Sequence, residues 1–249
     1  MAISTSQQMV FRASQELKDK NVIFVGIGLP NLACNLARAL HAPNLFMIYE
    51  AGAVGAVPER LPISIGDPAL VTGAASIVSQ AEIFQYYLQR GLIEVGFLGG
   101  AQIDMYGNIN STVIGDYENP KVRLPGSGGA CEIATHAKRL LVVMRMTKRS
   151  FVEKCDFITS PGHLYGSKTR KELGLPGGGP QVVITDQCVM NFVEGKMQVI
   201  ELFAGQTKES VQDNCGFELQ FSTKLKETAE PTKQITDILQ KLDPKKLYL

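Results

Sequence analysis

Glu50 closes an apolar run, Leu45-Phe46-Met47-Ile48-Tyr49, and opens directly into the small residues Ala51-Gly52-Ala53. A Glu carboxyl has an ordinary pKa of about 4.3, so at neutral pH it is ionised and can act as a nucleophile without a general base. Small neighbours, Gly52 above all, leave room for a substrate and let the backbone come close to it. The position suits equally a strand-end glutamate that faces water, which is the usual fate of that side chain. Two glycine-rich stretches lie where ligand-binding loops are expected. Gly26, Ile27 and Gly28 lie just before Leu29-Pro30, and Gly126, Ser127, Gly128 and Gly129 lie just before a helical segment. At 126–129 the unpaired N–H groups of a helix start favour an anion or a developing oxyanion, although glycines also gather in plain turns, and Gly26 to Gly28 suit a tight turn. Gln102 sits in a third such stretch, residues 99–108, with Asp104 and Asn108. Polar groups in an apolar setting must find partners, so that stretch is either a hydrogen-bonded scaffold or a substrate contact.

Other chemistries are less well served. Gly26-Ile27-Gly28-Leu29-Pro30-Asn31 approaches a dinucleotide-binding fingerprint, and Glu50 lies 22 residues beyond Gly28, where a ribose-binding acid would fall. The third glycine of that fingerprint is Asn31, which would crowd helix against strand. His163, after Ser160-Pro161-Gly162, has no orienting group in view for acid–base work. Cys34 falls on a helical face and belongs to a core. Arg145, Lys148 and Arg149 suit a phosphate or plain water equally. The five cysteines are widely spaced and odd in number. That suits reduced thiols in a cytoplasm rather than a disulfide framework. No Cys-x-x-Cys or His-x-x-x-His spacing occurs, which argues against a structural zinc or a zinc hydrolase.

The elements that must position these groups follow from periodicity. Residues 22–25 and 45–49 are short, continuous apolar runs, as strands buried on both faces require. Between them Leu32, Ala33, Leu36, Ala37 and Leu40 recur at helical spacing. That is a β-α-β unit, and ligands on such sheets gather at the carboxyl ends of the strands. A helix over 6–19 carries Met9, Val10, Ala13 and Leu17 on one face. Residues 51–78 are loop-like, Ser79 to Glu82 has capping-box spacing, and the helix it opens closes at Gly91. Strands are predicted at 95–98, 121–124, 140–144 and 182–185, weak alternation at 151–158, and helices at 130–138, 207–215 and 231–242. Residues 189–193 and 197–202 flank Glu194-Gly195-Lys196 as a hairpin. The expectation is one α/β domain over 1–249: an open, mainly parallel sheet flanked by helices, with late antiparallel hairpin strands.

Composition narrows the function classes. Lys plus Arg total 25 against 24 Asp plus Glu, a formal net charge of +1, without the basic excess of a nucleic-acid binder. No run of 18 apolar residues marks a membrane span, and the polar start lacks the pattern of a signal peptide.

Several segments in register carry a resemblance: FLGGAQIDMYGNINSTVIGDYENPKVRLPGSGGACEIAT (97–135), VGIGLPNLACNLA (25–37), IYEAG (48–52), TSPGHL (159–164) and LGLPGGGPQVVITD (173–186). Over roughly residues 6–240 the chain resembles the B subunits of family I (two-subunit) CoA-transferases, most of all those of glutaconate type. The resemblance implies that Glu50, in Glu50-Ala51-Gly52, is the nucleophile. It implies that the loops at Gly26–Gly28 and at 126–129 supply N–H groups to an oxyanion and to the CoA thioester. It implies a partner A subunit of the same fold, coenzyme A as substrate thioester, no resident cofactor, and transfer of CoA from an acyl-CoA to a free carboxylic acid. The residue after Glu50 is Ala where related transferases often carry Ser, which bears on the choice of acid. Thioester hydrolases and decarboxylases share the same scaffold. An NAD-dependent oxidoreductase and a non-catalytic partner subunit are competing readings of the same residues.

Overall fold

Ser4 caps the first helix, α1 (Thr5–Ser14), through a capping box with Gln7. Met9, Val10 and Ala13 pack inward as their spacing predicts. The helix ends before Leu17, which is buried from the turn beyond it. The computed structural model describes residues 3–165 and 170–249. These form two compact units, Met1–Phe97 with Ala229–Leu249, and Leu98–Thr228.

In the first unit β1 (Val22–Phe24) leads through α2 (Leu29–Leu40) to β2 (Phe46–Ile48), parallel to β1 with Phe24 opposite Ile48. Leu32, Ala33, Leu36 and Ala37 of α2 are fully buried. Two very short strands follow, β3 (Ala53–Val54) and β4 (Ser76–Ile77), each antiparallel to its predecessor. The sequence predicts only loop over 51–78, because strands of two residues are too short to show alternation. Next, α3 (Gln80–Glu82) starts on the expected capping box and runs on as a wider-wound turn over Ile83–Leu88. β5 (Val95–Leu98) then lies parallel to β1 on the side away from β2.

Between β3 and β4, Asp67 starts a short turn at Pro68–Val71. Its carboxylate accepts both guanidinium arms of Arg60 at 2.7 Å and the N–H groups of Ile63 and Ala69. Arg60, then the two backbone donors, hold the Asp67 carboxyl well below the usual carboxylate range. A depressed folded pKa adds stability above the unfolded value, and that gain is lost as the pH falls. The stability difference between the wild type and Asp67→Asn should therefore be full at neutral pH. It should shrink as the pH drops below about 4, as denaturation midpoints across pH will show. A constant difference would contradict this role.

In the second unit β6 (Gln102–Ile103) and β7 (Ile109–Asn110) pair antiparallel around a turn between them. β8 (Val113–Gly115) and β9 (Pro120–Arg123) form another hairpin. After α4 (Ala130–His136), β10 (Arg139–Val143) and β11 (Pro180–Ile184) pair parallel. β12 (Cys188–Val193) and β13 (Lys196–Leu202) make the expected antiparallel hairpin. Its two-residue turn has φ of 50° at Glu194 and 78° at Gly195, the left-handed pair that matches the twist of a hairpin. Residues 151–158 form no strand; Phe151 makes one isolated bridge to Ile103. α5 (Lys208–Asp213) is capped by Thr207. β14 (Gln220–Glu227), parallel to β13, is absent from the sequence expectations. It is an outer strand, with no buried residue and with Lys224 and Lys226 along it, so it lacks the apolar alternation that betrays a strand. The chain returns to the first unit as α6 (Lys233–Leu242), capped by Thr232 and packed on α1 and α2. The α/β class, with parallel strand pairs, helices alongside and antiparallel strands late in the chain, is as expected. Among the described residues no helix is long and apolar enough to cross a membrane.

Candidate active site

Strands β1 and β2 end side by side, and the Val25 N–H still donates to the Ile48 carbonyl at 3.1 Å. The loop holding Gly26, Ile27 and Gly28 therefore leaves one strand at the same edge where Glu50 leaves the other, the carboxyl edge on which such sheets bind ligands. Gly28 caps α2 with φ of 91° and offers no side chain to the first turn. That left-handed conformation costs glycine little. Cβ atoms built on Gly26 and Gly28 would meet nothing within 4 Å. Pro30 occupies the first turn of α2, where its missing N–H is tolerated.

Asn31, the residue standing where a dinucleotide fingerprint wants glycine, has a specific use. Fully buried, it donates from Nδ2 to the Tyr49 hydroxyl at 2.7 Å. Tyr49 is buried too, and burial raises its phenol pKa, so the group stays neutral. The start of α2 is thus tied to the residue immediately before Glu50.

Glu50 itself occupies a tight turn. The Gly52 N–H donates to the Tyr49 carbonyl at 2.9 Å, and the Val78 N–H donates to the Gly52 carbonyl at 3.0 Å. Gly52 has φ of 108°, and a Cβ there would lie 2.0 Å from the Val78 carbonyl oxygen, so only glycine fits. One Glu50 oxygen, Oε1, accepts a hydrogen bond from Gln80 Nε2 at 3.1 Å. Gln80 does not stand out in the sequence. The one signal near it is the Ser79 capping box, which marks a helix start but not what the helix faces.

The second unit holds the remaining residues singled out from the sequence except Cys34. Gln102 is 6% exposed. Its amide oxygen accepts from Asn110 Nδ2 at 2.7 Å and from the Asp156 N–H at 3.0 Å, while its Nε2 donates to the Asp156 carboxylate. These bonds make Gln102 part of a frame. Asp104, fully buried, likewise accepts from the N–H groups of Tyr106 and Asn108, the Asn108 amide and the Tyr165 hydroxyl. The polar cluster at 99–108 is therefore a satisfied scaffold. In the loop before α4, the Gly126 N–H is taken by the Ser111 carbonyl at 2.9 Å, and the Ser127 hydroxyl accepts from the Cys131 N–H at 3.2 Å. Gly126 and Ser127 shape the loop through these bonds. Cβ atoms on Gly126 and Gly128 would again meet nothing within 4 Å, and Gly129 caps α4 without a side chain. His163 packs on Phe192 and places Nε2 2.9 Å from the Pro180 carbonyl, and burial lowers its pKa. That is the setting of a neutral structural imidazole. Arg145, Lys148 and Arg149 are exposed, and Cys34 is buried in α2.

A family profile described as coenzyme A transferase matches residues 7–211. The chain is 50% identical over 244 residues to the B subunit of 3-oxoadipate CoA-transferase of Pseudomonas knackmussii, covering 97% of this chain and 94% of that one. It is 36% identical over 243 residues to the B subunit of glutaconate CoA-transferase of Acidaminococcus fermentans, covering 95% and 91%. The crystal structure of glutaconate CoA-transferase from A. fermentans superposes with a TM-score of 0.93 at 33% identity, over 99% of this chain and 97% of that one. Matches of that extent, in sequence and in fold together, place the chain in the coenzyme A transferase family, enzymes that move CoA between an acyl-CoA and a free acid.

Proposed function

We propose that this chain is the catalytic B subunit of a two-subunit CoA-transferase, with Glu50 as its nucleophile and no resident cofactor. The observation that carries the reading is the placement of the Glu50 carboxylate at the carboxyl end of β2. Glu50 leaves β2 at the edge where the loop to the glycine-capped start of α2 leaves β1, within a turn that only glycine at 52 can make.

The free oxygen of the Glu50 carboxylate attacks the carbonyl carbon of the donor acyl-CoA. The C–S bond breaks, releasing CoA thiolate and leaving an acyl–glutamyl anhydride. The thiolate then attacks the glutamyl carbonyl carbon. The donor acid departs with the bridging oxygen, and a glutamyl-CoA thioester remains. The acceptor carboxylate runs these steps in reverse. Each step passes through a tetrahedral oxyanion, and one well-aimed N–H donor is worth about 3–4 kcal/mol there. In the first unit the loop at Gly26, Ile27 and Gly28 supplies the donors we assign, with Gly52 shaping the turn after Glu50; taken by itself, the second unit has a loop shaped by Gly126 and Ser127 that carries Gly128 and Gly129, with Gln102 in its frame.

Anhydride and thioester both hydrolyse, so the site must exclude water. A partner A subunit serves that purpose in this reading. Val57, Ile63, Ile65, Val71 and Ile77 are all exposed in the segment after Glu50, and apolar surface of that kind suits a subunit contact. All five cysteines are free thiols, in keeping with a reducing cytoplasm. The acid is a dicarboxylate in this proposal, with 3-oxoadipate first, since the relative of that name shares half of the residues.

Covalent exchange predicts ping-pong kinetics. With the assembled heteromer, double-reciprocal plots for acyl-CoA and acceptor should be parallel. Labelled donor acid should exchange into its CoA ester with no acceptor present. Intersecting plots without exchange would rule out the mechanism. Release of free acid without an acceptor would point to a thioester hydrolase, and saturable NAD(H) binding to an oxidoreductase.

A further inference from the structure

The contact between Gln80 and Glu50 joins two side chains 30 residues apart, and the local pairing and helix cap fix it. The antiparallel pairing of β3 with β4 sets Ala53 opposite Ile77 and Val54 opposite Ser76. The Val78 N–H extends that ladder to the Gly52 carbonyl. The capping box then starts α3: the Ser79 hydroxyl accepts from the Glu82 N–H, and the Glu82 carboxylate accepts from the Ser79 N–H. Gln80 is the first residue of that helix, and its Nε2 donates to Glu50 Oε1 at 3.1 Å. The donor side is unambiguous, because an ionised carboxylate only accepts.

We propose that Gln80 is a catalytic residue of the transfer reaction: it holds the Glu50 oxygen that stays with the enzyme and stabilises the oxyanion that forms on it. This rests on Glu50 being the nucleophile. With Oε1 engaged, Oε2 is the oxygen that attacks and becomes the bridge of the anhydride. When CoA thiolate attacks the glutamyl carbon, the C=O π pair moves onto Oε1. The tetrahedral intermediate then collapses, the bond from carbon to Oε2 breaks, and Oε2 leaves with the donor acid. Oε1 remains as the carbonyl oxygen of the thioester. Both halves of the reaction therefore build negative charge on the one oxygen that faces the Gln80 amide. Between solvated groups this bond is weak. In a closed site the same donor acts where charge develops, which is the condition for a large effect.

The test uses the assembled heteromer and rapid quenching with acyl-CoA, with intact-protein mass spectrometry following CoA attached to this chain. Gln80→Ala should slow attachment by about a hundredfold to a thousandfold, with KM for acyl-CoA changed much less than kcat. Gln80→Glu keeps the side-chain size but removes the donor. It should be slowed at least as much, with its pH profile displaced upward by the second carboxylate, and it serves if Gln80→Ala assembles poorly. Wild-type rates of attachment in both variants would overturn the role of Gln80 while leaving Glu50 as nucleophile. Absence of any CoA adduct in the turning-over wild type would overturn both.

Discussion

Glu50→Ala should lower kcat of the assembled heteromer by on the order of 10⁴ or more, the scale on which removal of an attacking group acts. The protein should otherwise be undisturbed. The Glu50 side chain touches Gln80 through a bond between exposed groups, and such contacts contribute little to folding. Thermal midpoint and subunit assembly should therefore match the wild type while turnover disappears. Glu50→Gln keeps the shape and an oxygen that can accept from Gln80 but lacks the negative charge, so it should be as inactive. Substantial turnover by either variant, measured as CoA exchange between two acids, would remove the covalent step from the mechanism.

Gly52→Ala should fail differently, losing both stability and activity. The new methyl would sit at φ of 108° and 2.0 Å from the Val78 carbonyl oxygen. Neither problem is relieved by a rotamer change, because the obstacle is backbone. A left-handed conformation off glycine costs about 1–3 kcal/mol, and the clash adds to it by forcing the Val78–Gly52 pairing apart. Glu50 lies two residues before that pairing and Gln80 two after it, so the carboxylate and its donor move together. Displacement of a reacting group by about 1 Å lowers rates by around a hundredfold. Chemical denaturation and kcat measured on the same preparation should both fall. A variant with wild-type stability and turnover would mean that the turn does not position Glu50.

Much of this arrangement is legible in the sequence, and for physical reasons. The β-α-β unit announces itself because its strands are buried on both faces and its helix repeats apolar residues at helical spacing. Glu50 stands out as a charge at the end of such a strand. Glycines at 28, 52 and 126 stand out where the backbone needs them, all three having positive φ. What stays hidden is what depends on tertiary pairing. β3 and β4 are two residues each, and only their register against one another brings Gln80 to Glu50. β14 is hidden by its solvated, lysine-bearing surface. Asn31, which reads in isolation as a broken dinucleotide motif, is explained only by Tyr49, 18 residues away, across the unit. The polar run at 99–108 shows its scaffold role once the four donors to Asp104 are seen.

The covalent role of Glu50 is tested most directly by trapping. The heteromer is incubated with acyl-CoA, treated with borohydride, and digested for peptide mass spectrometry. A glutamyl thioester is reduced to the primary alcohol, so the peptide carrying residue 50 should lose one oxygen and gain two hydrogens, only when acyl-CoA is present. An unaltered Glu50 in enzyme that is turning over its substrate, or reduction at another carboxylate, would contradict the account.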